Sequence, residues 1–146
     1  MRTTLLIALL LSACSTDIGP TGFVAEERPE AMQAALDAWI ESFGPTENAC
    51  QPEAVQWALR SREEVHEICD SKAFGCYLPE SKTIVIQKEL WGSDNFDRCL
   101  THELMHWLSD CNGWGADHNH EAESLWGENH KGGVVHRAWE LAGVPY

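Results

Sequence analysis

The chain has 146 residues, of which 44% are hydrophobic and 23% are charged, and its formal net charge is −13. This length provides one modest hydrophobic core, so two domains are not expected. Acidic residues outnumber basic ones by 23 to 10, which would repel a polyanion and excludes nucleic acid as a partner. We expect one acidic domain that acts as a monomer.

The first residues have the features of an export signal. Arg2 precedes an apolar run at 5–11, which is far shorter than the ~20 residues of a membrane-spanning helix. The segment Leu11-Ser12-Ala13-Cys14 resembles the lipobox of bacterial lipoproteins. This resemblance implies a signal peptide, residues 1–13, and a lipid anchor on Cys14, and Ser15 favours the outer membrane of a Gram-negative cell. The alternative is an ordinary secretory signal with a coincidental cysteine.

Residues 14–27 are rich in Ser, Thr, Gly, Pro and acidic residues and have no apolar period, so a flexible tether is predicted there. The folded domain is predicted over 28–146. It begins with an amphipathic helix from Pro29 to Gly44, because Pro is favoured at a helix start and Gly at a helix end. The core face of this helix is predicted to contain Met32, Leu36, Trp39, Ile40 and Phe43.

A small sheet is predicted in the middle of the chain. Alternating apolar residues indicate a strand at 54–60, although several residues there also favour a helix. Aromatic and β-branched residues on either side of "PESK" predict a hairpin with strands near 74–78 and 83–87. The segment 113–133 is rich in Gly, Asn and Asp and is predicted to be a long loop, followed by a short helix at 134–143.

A second long helix is predicted at 96–110. Asn95 is a suitable N-cap for this helix, and Asn112 and Gly113 are typical of a helix end. Helices combined with a small sheet define the α+β class.

The second long helix carries two histidines four residues apart, His102 and His106, with Glu103 beside the first. At about 100° per residue both imidazoles lie on one face of the helix. Residues at this spacing can direct both rings at one zinc ion, and a neighbouring carboxylate can accept the proton of an attacking water. The opposite, apolar face is predicted to contain Leu100, Leu104, Leu108 and Cys111.

The segment His102-Glu103-Leu104-Met105-His106 is similar to the HExxH motif of the zincin metallopeptidases. The resemblance implies a zincin-like domain with an N-terminal helix, a small sheet and an active-site helix. It also implies hydrolysis of peptide bonds, with Glu103 as the catalytic base. The metzincin branch is excluded, because Ser109 and Asn112 stand where that branch has glycine and histidine.

A catalytic zinc site usually has three protein ligands and one open position. We predict His120 as the third ligand and His118 as its alternative, because imidazole suits zinc. Asp117, His120 and Trp126 also resemble small exported HExxH proteins in which a third histidine comes shortly before a tryptophan, and Asp117 is then expected to orient a ligand. The gluzincin branch takes a glutamate instead, for which the candidates are Glu121, Glu123 and Glu128.

In an exported protein, the five cysteines after Cys14 are expected to form two disulfides and leave one thiol. These cysteines are Cys50, Cys69, Cys76, Cys99 and Cys111. Cys69 and Cys76 flank a turn and are the easiest pair. Cys99 and Cys111 cannot pair within one helix, and a disulfide of Cys99 is expected in preference to its binding zinc.

The remaining histidines, Tyr146 and the tryptophans are not predicted to bind the metal. His136 or Tyr146 could donate a hydrogen bond to an oxyanion, whereas His66 and His130 are expected on the surface. The seven tryptophans are expected to fill the core rather than bind glycans.

The expected function is that of a membrane-anchored zinc peptidase acting on a peptide or protein. The first alternative is a lipoprotein that binds zinc without catalysis, in which Glu103 has no role as a base. The second alternative is an amidase that acts on cell-wall peptides.

Overall fold

The computed structural model describes residues 21–128 and 130–145. The predicted signal peptide, the predicted lipidation site Cys14 and Tyr146 lie outside these residues. The described helices are α1 (Val24–Glu27), α2 (Pro29–Phe43), α3 (Arg62–Ile68), α4 (Asp94–Cys111), α5 (Glu123–Trp126) and α6 (Val134–Leu141). The described strands are β1 (Thr21–Phe23), β2 (Gln56–Arg60), β3 (Gly75–Leu78), β4 (Thr83–Gln87), β5 (Gly127–Glu128) and β6 (Lys131–Gly132). Among these elements, no helix is long and apolar enough to cross a bilayer.

A four-stranded mixed sheet forms the centre of the domain, with the order β1-β2-β4-β3. β2 and β4 run parallel, and β1 and β3 are antiparallel to their neighbours. The two central strands carry the largest share of buried apolar side chains, as expected for strands covered on both sides. β5 and β6 form a separate two-stranded hairpin. The α+β class is therefore confirmed, as are the strand at 54–60 and the hairpin near 74–78 and 83–87.

The helices pack on the sheet and on one another. α4 contacts α2, α6 and the strands β3 and β4, with Leu100, Leu104 and Leu108 completely buried. α2 also packs on α6. Its boundaries agree with the prediction, but Ile40 was placed wrongly on the core face, because its side chain is 47% exposed.

The folded part of the chain begins earlier than predicted. The tether was expected to extend to residue 27, whereas Thr21–Phe23 pairs with β2 and Val24 is completely buried. β1 is defined by its pairing with a strand that is distant in the sequence. The composition of its own short segment therefore does not predict it. A truncation at residue 28 would remove an edge strand.

Two helix starts also differ from the prediction. α4 begins at Asp94 after Ser93, so Asn95 lies inside the first turn and is not the N-cap. α3 was not predicted, although Ser61 and Glu64 form a capping box at its start. In this box the serine hydroxyl accepts the Glu64 amide hydrogen and the Glu64 carboxylate accepts from the Ser61 backbone.

Two disulfides hold the domain together. Cys69 pairs with Cys76, as predicted, and Cys50 pairs with Cys111 at the end of α4. The expectation that Cys99 forms a disulfide is wrong, since its thiol is free. With Cys50 and Cys111 already paired, no cysteine partner remains for it among the described residues.

The longer disulfide loop should contribute more to stability. The two bonds join residues 61 and 7 positions apart, and the loss of chain entropy in the unfolded state corresponds to about 4 kcal/mol and about 2.5 kcal/mol. We expect the Cys50→Ala/Cys111→Ala protein to lose more free energy of unfolding in urea than the Cys69→Ala/Cys76→Ala protein. Equal losses would contradict this ranking.

Candidate metal centre

α4 places His102, Glu103 and His106 at the floor of a cleft. The cleft has a volume of about 1320 Å³ and is bordered along one side by the edge strand β3. The buried leucines on the opposite side of α4 fix the rotation of the helix, so its histidine face must point into the cleft. The predicted helical face is therefore confirmed.

Three imidazoles converge in this cleft, from His102, His106 and His120. The distances between their Nε2 atoms are 3.2 Å for His102 and His106, and 3.1 Å for each of these with His120. His102 and His106 from the helix and His120 from the loop thus each direct their Nε2 atom at the same point. This arrangement can hold a metal ion, as predicted for these three residues.

The tautomer of His106 is determined by a backbone carbonyl. Its Nδ1 lies 2.6 Å from the oxygen of Ala116. A carbonyl oxygen only accepts hydrogen bonds, so Nδ1 carries the hydrogen and the lone pair of the neutral ring is on Nε2. The Ala116 carbonyl therefore orients the ring of His106.

Burial keeps the three rings in the neutral form that binds metals. It lowers the pKa of His106 to about 3, despite the opposing bond to Ala116. Burial also lowers the pKa of His102 well below its usual value, and the neighbouring imidazoles lower it further. The pKa of His120 is lowered by burial and by His130. At neutral pH the cluster is uncharged and its lone pairs are available.

Glu103 lies beside the imidazoles with only 5% of its surface exposed. Its Oε2 is 4.0 Å from Nε2 of His106. Burial raises the pKa of Glu103 to about 8, and a hydrogen bond from the Tyr77 backbone amide opposes this shift. The carboxyl group thus has a pKa suited to exchanging protons near neutral pH.

The loop that carries His120 is held by Asp117. The Asp117 carboxylate accepts hydrogen bonds from the backbone amides of Glu121 and Ala122, at 2.9 and 3.0 Å, and from Nε1 of Trp126 at 2.6 Å. Asp117 and His120 have φ angles of 47° and 56°, a region in which Asp, Asn and His are enriched. Asp117 therefore supports the site through the loop and through Trp126.

Trp126 covers the histidine cluster. Its ring lies 4.9 Å from that of His102, 4.4 Å from that of His106 and 4.3 Å from that of His120, measured between centroids. The indole is itself buried. It limits the movement of all three imidazoles and excludes water from one side of the cluster.

We expect Asp117→Ala to weaken metal binding without removing a ligand. Its loss frees the Trp126 indole and two loop amides, so His120 is no longer held in place. The metal dissociation constant should rise by about 10–100-fold, as for other supporting residues of metal sites. Competition with a chromogenic chelator measures this change. Glu121→Ala, which alters an exposed side chain of the same loop, should leave the constant unchanged.

The other candidate residues are not part of the cluster. His118 lies against His106, with ring centroids 5.3 Å apart, but it is not one of the three converging residues. The glutamates Glu121, Glu123 and Glu128 are exposed. His136 does not line the cleft, whereas the free thiol Cys99 does.

His130 was wrongly assigned to the surface. It is partly buried, lines the cleft, and has ring centroids 5.1 Å from His102 and 5.3 Å from His120. His66 is only half-buried, 3.3 Å from the Gln87 amide. Five of the seven tryptophans are buried, as expected, and Trp91 and Trp114 are 45% and 52% exposed.

Comparisons with protein families, with curated proteins and with solved structures found no match to this chain. Its function therefore has to be inferred from the chemistry of the site.

Proposed function

We propose that this protein is a zinc-dependent peptidase in which His102, His106 and His120 bind the metal and Glu103 is the catalytic base. The observation that carries the proposal is a buried carboxylate 4.0 Å from Nε2 of His106, at the edge of a three-histidine cluster in an open cleft. A purely structural metal site does not need an acid of this kind in this place.

The spacing of the ring nitrogens supports zinc as the metal. Nitrogen ligands bind zinc at about 2.0–2.1 Å, so two ligands on one tetrahedral ion lie roughly 3.3–3.4 Å apart. The three Nε2 atoms lie 3.1–3.2 Å apart, and a cation between them would relieve the close approach of their lone pairs. Three neutral imidazoles are also a donor set that suits zinc.

The residues of the chain have distinct roles in peptide hydrolysis. When bound, zinc acts as a Lewis acid and lowers the pKa of its water to about 7. In its ionised form Glu103 would accept a proton from the attacking water and return it to the amine that leaves. The Tyr77 backbone amide holds the Glu103 carboxylate in place, and Trp126 keeps the imidazoles in position.

The cleft offers a surface for an extended peptide. β3 is an edge strand and all four of its residues line the cleft, so a peptide could add to the sheet by backbone hydrogen bonding. Phe74 and Ile68 also line the cleft and are 61% and 44% exposed. These exposed apolar side chains favour peptides with large apolar residues.

Location at a membrane forms part of the same proposal. The resemblance of residues 11–14 to a lipobox supports lipidation at Cys14 and a place in the cell envelope, on the outer membrane. The disulfides Cys50–Cys111 and Cys69–Cys76 support an oxidising compartment, since such bonds persist there.

Metal analysis combined with a cleavage assay tests the proposal. Protein purified without a polyhistidine tag should contain about one zinc per chain by mass spectrometry. It should cleave unstructured polypeptides, lose this activity to a chelator and regain it with added zinc. Zinc without cleavage of any polypeptide would favour the non-catalytic alternative, and turnover of purified peptidoglycan alone would favour the amidase. Protein that takes up no zinc would refute all three.

A further inference from the structure

A fourth imidazole stands beside the three that converge. His130 lies in the turn between β5 and β6, and its ring contacts those of His102 and His120 at 5.1 and 5.3 Å between centroids. The three converging rings are 4.9–5.0 Å apart by the same measure. Imidazoles that share one tetrahedral zinc have centroids roughly 5 Å apart, because each ring centre lies about 3 Å from the ion. His130 therefore stands next to the cluster, although its ring nitrogens are not among the atoms that converge within 4.8 Å, so binding of the same ion would need a movement of its side chain.

The Nδ1 atom of His130 lacks a partner that it would be expected to have. Its Nδ1 is buried and has no hydrogen-bond partner among the described residues. A buried ring nitrogen without a partner is costly unless something else satisfies it. The side chain lines the same cleft as the other three histidines, so a metal ion bound there could satisfy this nitrogen.

The backbone around His130 is built to hold it there. His130 has a φ of 63°, and the two strands that flank its turn are joined by pairing of Glu128 with Lys131. A Cβ at Gly127 would lie 2.2 Å from the Lys131 carbonyl oxygen, and one at Gly133 would lie 2.4 Å from the carbonyl carbon of Trp126. The hairpin is thus packed tightly against the end of α5, whose Trp126 covers the cluster.

We propose that His130 is a displaceable fourth ligand that closes the metal centre when no substrate is present. This inference rests on the metal site of the proposed function but not on peptide hydrolysis. The three other histidines hold the ion, and the hairpin supplies the imidazole for the remaining position. A peptide or a water must then displace His130 from that position. The site is therefore inactive until His130 leaves the metal.

Cobalt substitution combined with chemical rescue tests this assignment. The variant is His130→Gly, because glycine tolerates the positive φ and leaves space for a free imidazole. Replacing zinc by Co²⁺ should give the wild-type protein a four-coordinate absorption spectrum. His130→Gly should show a changed spectrum and bind zinc at least about 10-fold more weakly. Millimolar imidazole should then restore the wild-type spectrum.

Matched variants separate ligation from other effects. His118→Ala removes a histidine beside the cluster that is not one of the converging residues, and it should leave the spectrum and the zinc affinity unchanged. His130→Asn also tolerates the positive φ and should behave as His130→Gly does before imidazole is added. If both His130 variants keep the wild-type spectrum and affinity, His130 is not a ligand, although the three-histidine site stands. A wild-type protein that binds neither ion would overturn this assignment together with the proposed function.

Discussion

The Glu103→Gln protein should retain its zinc and lose peptide hydrolysis. A general base contributes about 10²–10⁴-fold to the rate. The value of kcat/KM for a cleavable peptide should therefore fall by about 10²–10⁴-fold. Glutamine has the size of glutamate and can still accept the Tyr77 amide hydrogen, so the fold and the three histidines should be unaffected. Zinc content by mass spectrometry and cleavage rates by chromatography are measured on the same preparation.

Glu128→Gln is the matched control, because it removes a carboxylate from an exposed residue. It should cleave at the wild-type rate. A Glu103→Gln protein that is fully active with zinc bound would exclude Glu103 as the base and with it the proposed mechanism. A variant that loses both zinc and activity would show that Glu103 supports the metal instead.

The same substitution should change how the stability of the metal-free protein depends on pH. The pKa of Glu103 is raised to about 8 from an ordinary value of 4.5, so the folded state binds a proton that the unfolded state has lost. Between these two values the titration of Glu103 lowers the stability of the wild-type protein as pH rises, whereas the lowered pKa values of the three histidines act in the opposite direction below their ordinary value of 6.5. Glutamine does not titrate, so urea unfolding of metal-free Glu103→Gln should lack this component of the decline between pH 5 and pH 8. Parallel declines would contradict the raised pKa.

Replacement of His120 should abolish stable zinc binding. Loss of a supporting residue weakens metal binding by about 10–100-fold. Loss of one of the three ligands should raise the zinc dissociation constant by more than this. Asparagine is the substitution of choice, because it tolerates the φ of 56° at this position. The effect then reports the lost imidazole rather than backbone strain.

Thermal unfolding provides a second measurement for the His120→Asn protein. Zinc at about 1,000 times its dissociation constant stabilises the wild-type protein by about 4 kcal/mol, which raises Tm by several degrees. The variant should show a much smaller increase at the same zinc concentration, since even a 100-fold weaker site would gain only about 1.4 kcal/mol. His118→Ala should respond as the wild type does. The opposite pattern, in which His118→Ala loses zinc and His120→Asn keeps it, would identify His118 as the third ligand.

Sequence periodicity was sufficient to predict the parts of the site that lie on one helix. The positions of His102, Glu103 and His106 follow from the 3.6-residue turn, and the buried leucines on the other side specify the direction in which they face. The hairpin of β3 and β4 was also predictable, because its strands are continuous and joined by a short turn. Patterns of this kind are local.

The elements that the sequence analysis did not predict depend on contacts between distant segments. The hairpin of β5 and β6 has strands of two residues, too short for an alternating pattern, so His130 could not be placed near the cluster. β1 exists because it pairs with β2, and its own three residues do not indicate it. The partners through which Asp117 acts could not be predicted either, because its hydrogen bond to Trp126 requires the loop to turn back through nine positions.

The capping box of α3 is a different case, since its signal was present in the sequence. Ser61 and Glu64 have the spacing of a helix start. The alternating residues at 54–60 and the helix-favouring residues after them were treated as one ambiguous stretch, although they belong to two elements. A boundary at Ser61 would have separated them.

The disulfide between Cys50 and Cys111 imposes an order on oxidative folding. Along the chain, Cys50, Cys69 and Cys76 all emerge before Cys111, and domains begin to fold from the N-terminal side during synthesis. Any bond that Cys50 forms before Cys111 is available is non-native. Such a bond is corrected by exchange with the Cys111 thiolate, whereas a Cys50 thiol that stays reduced until then pairs with Cys111 directly.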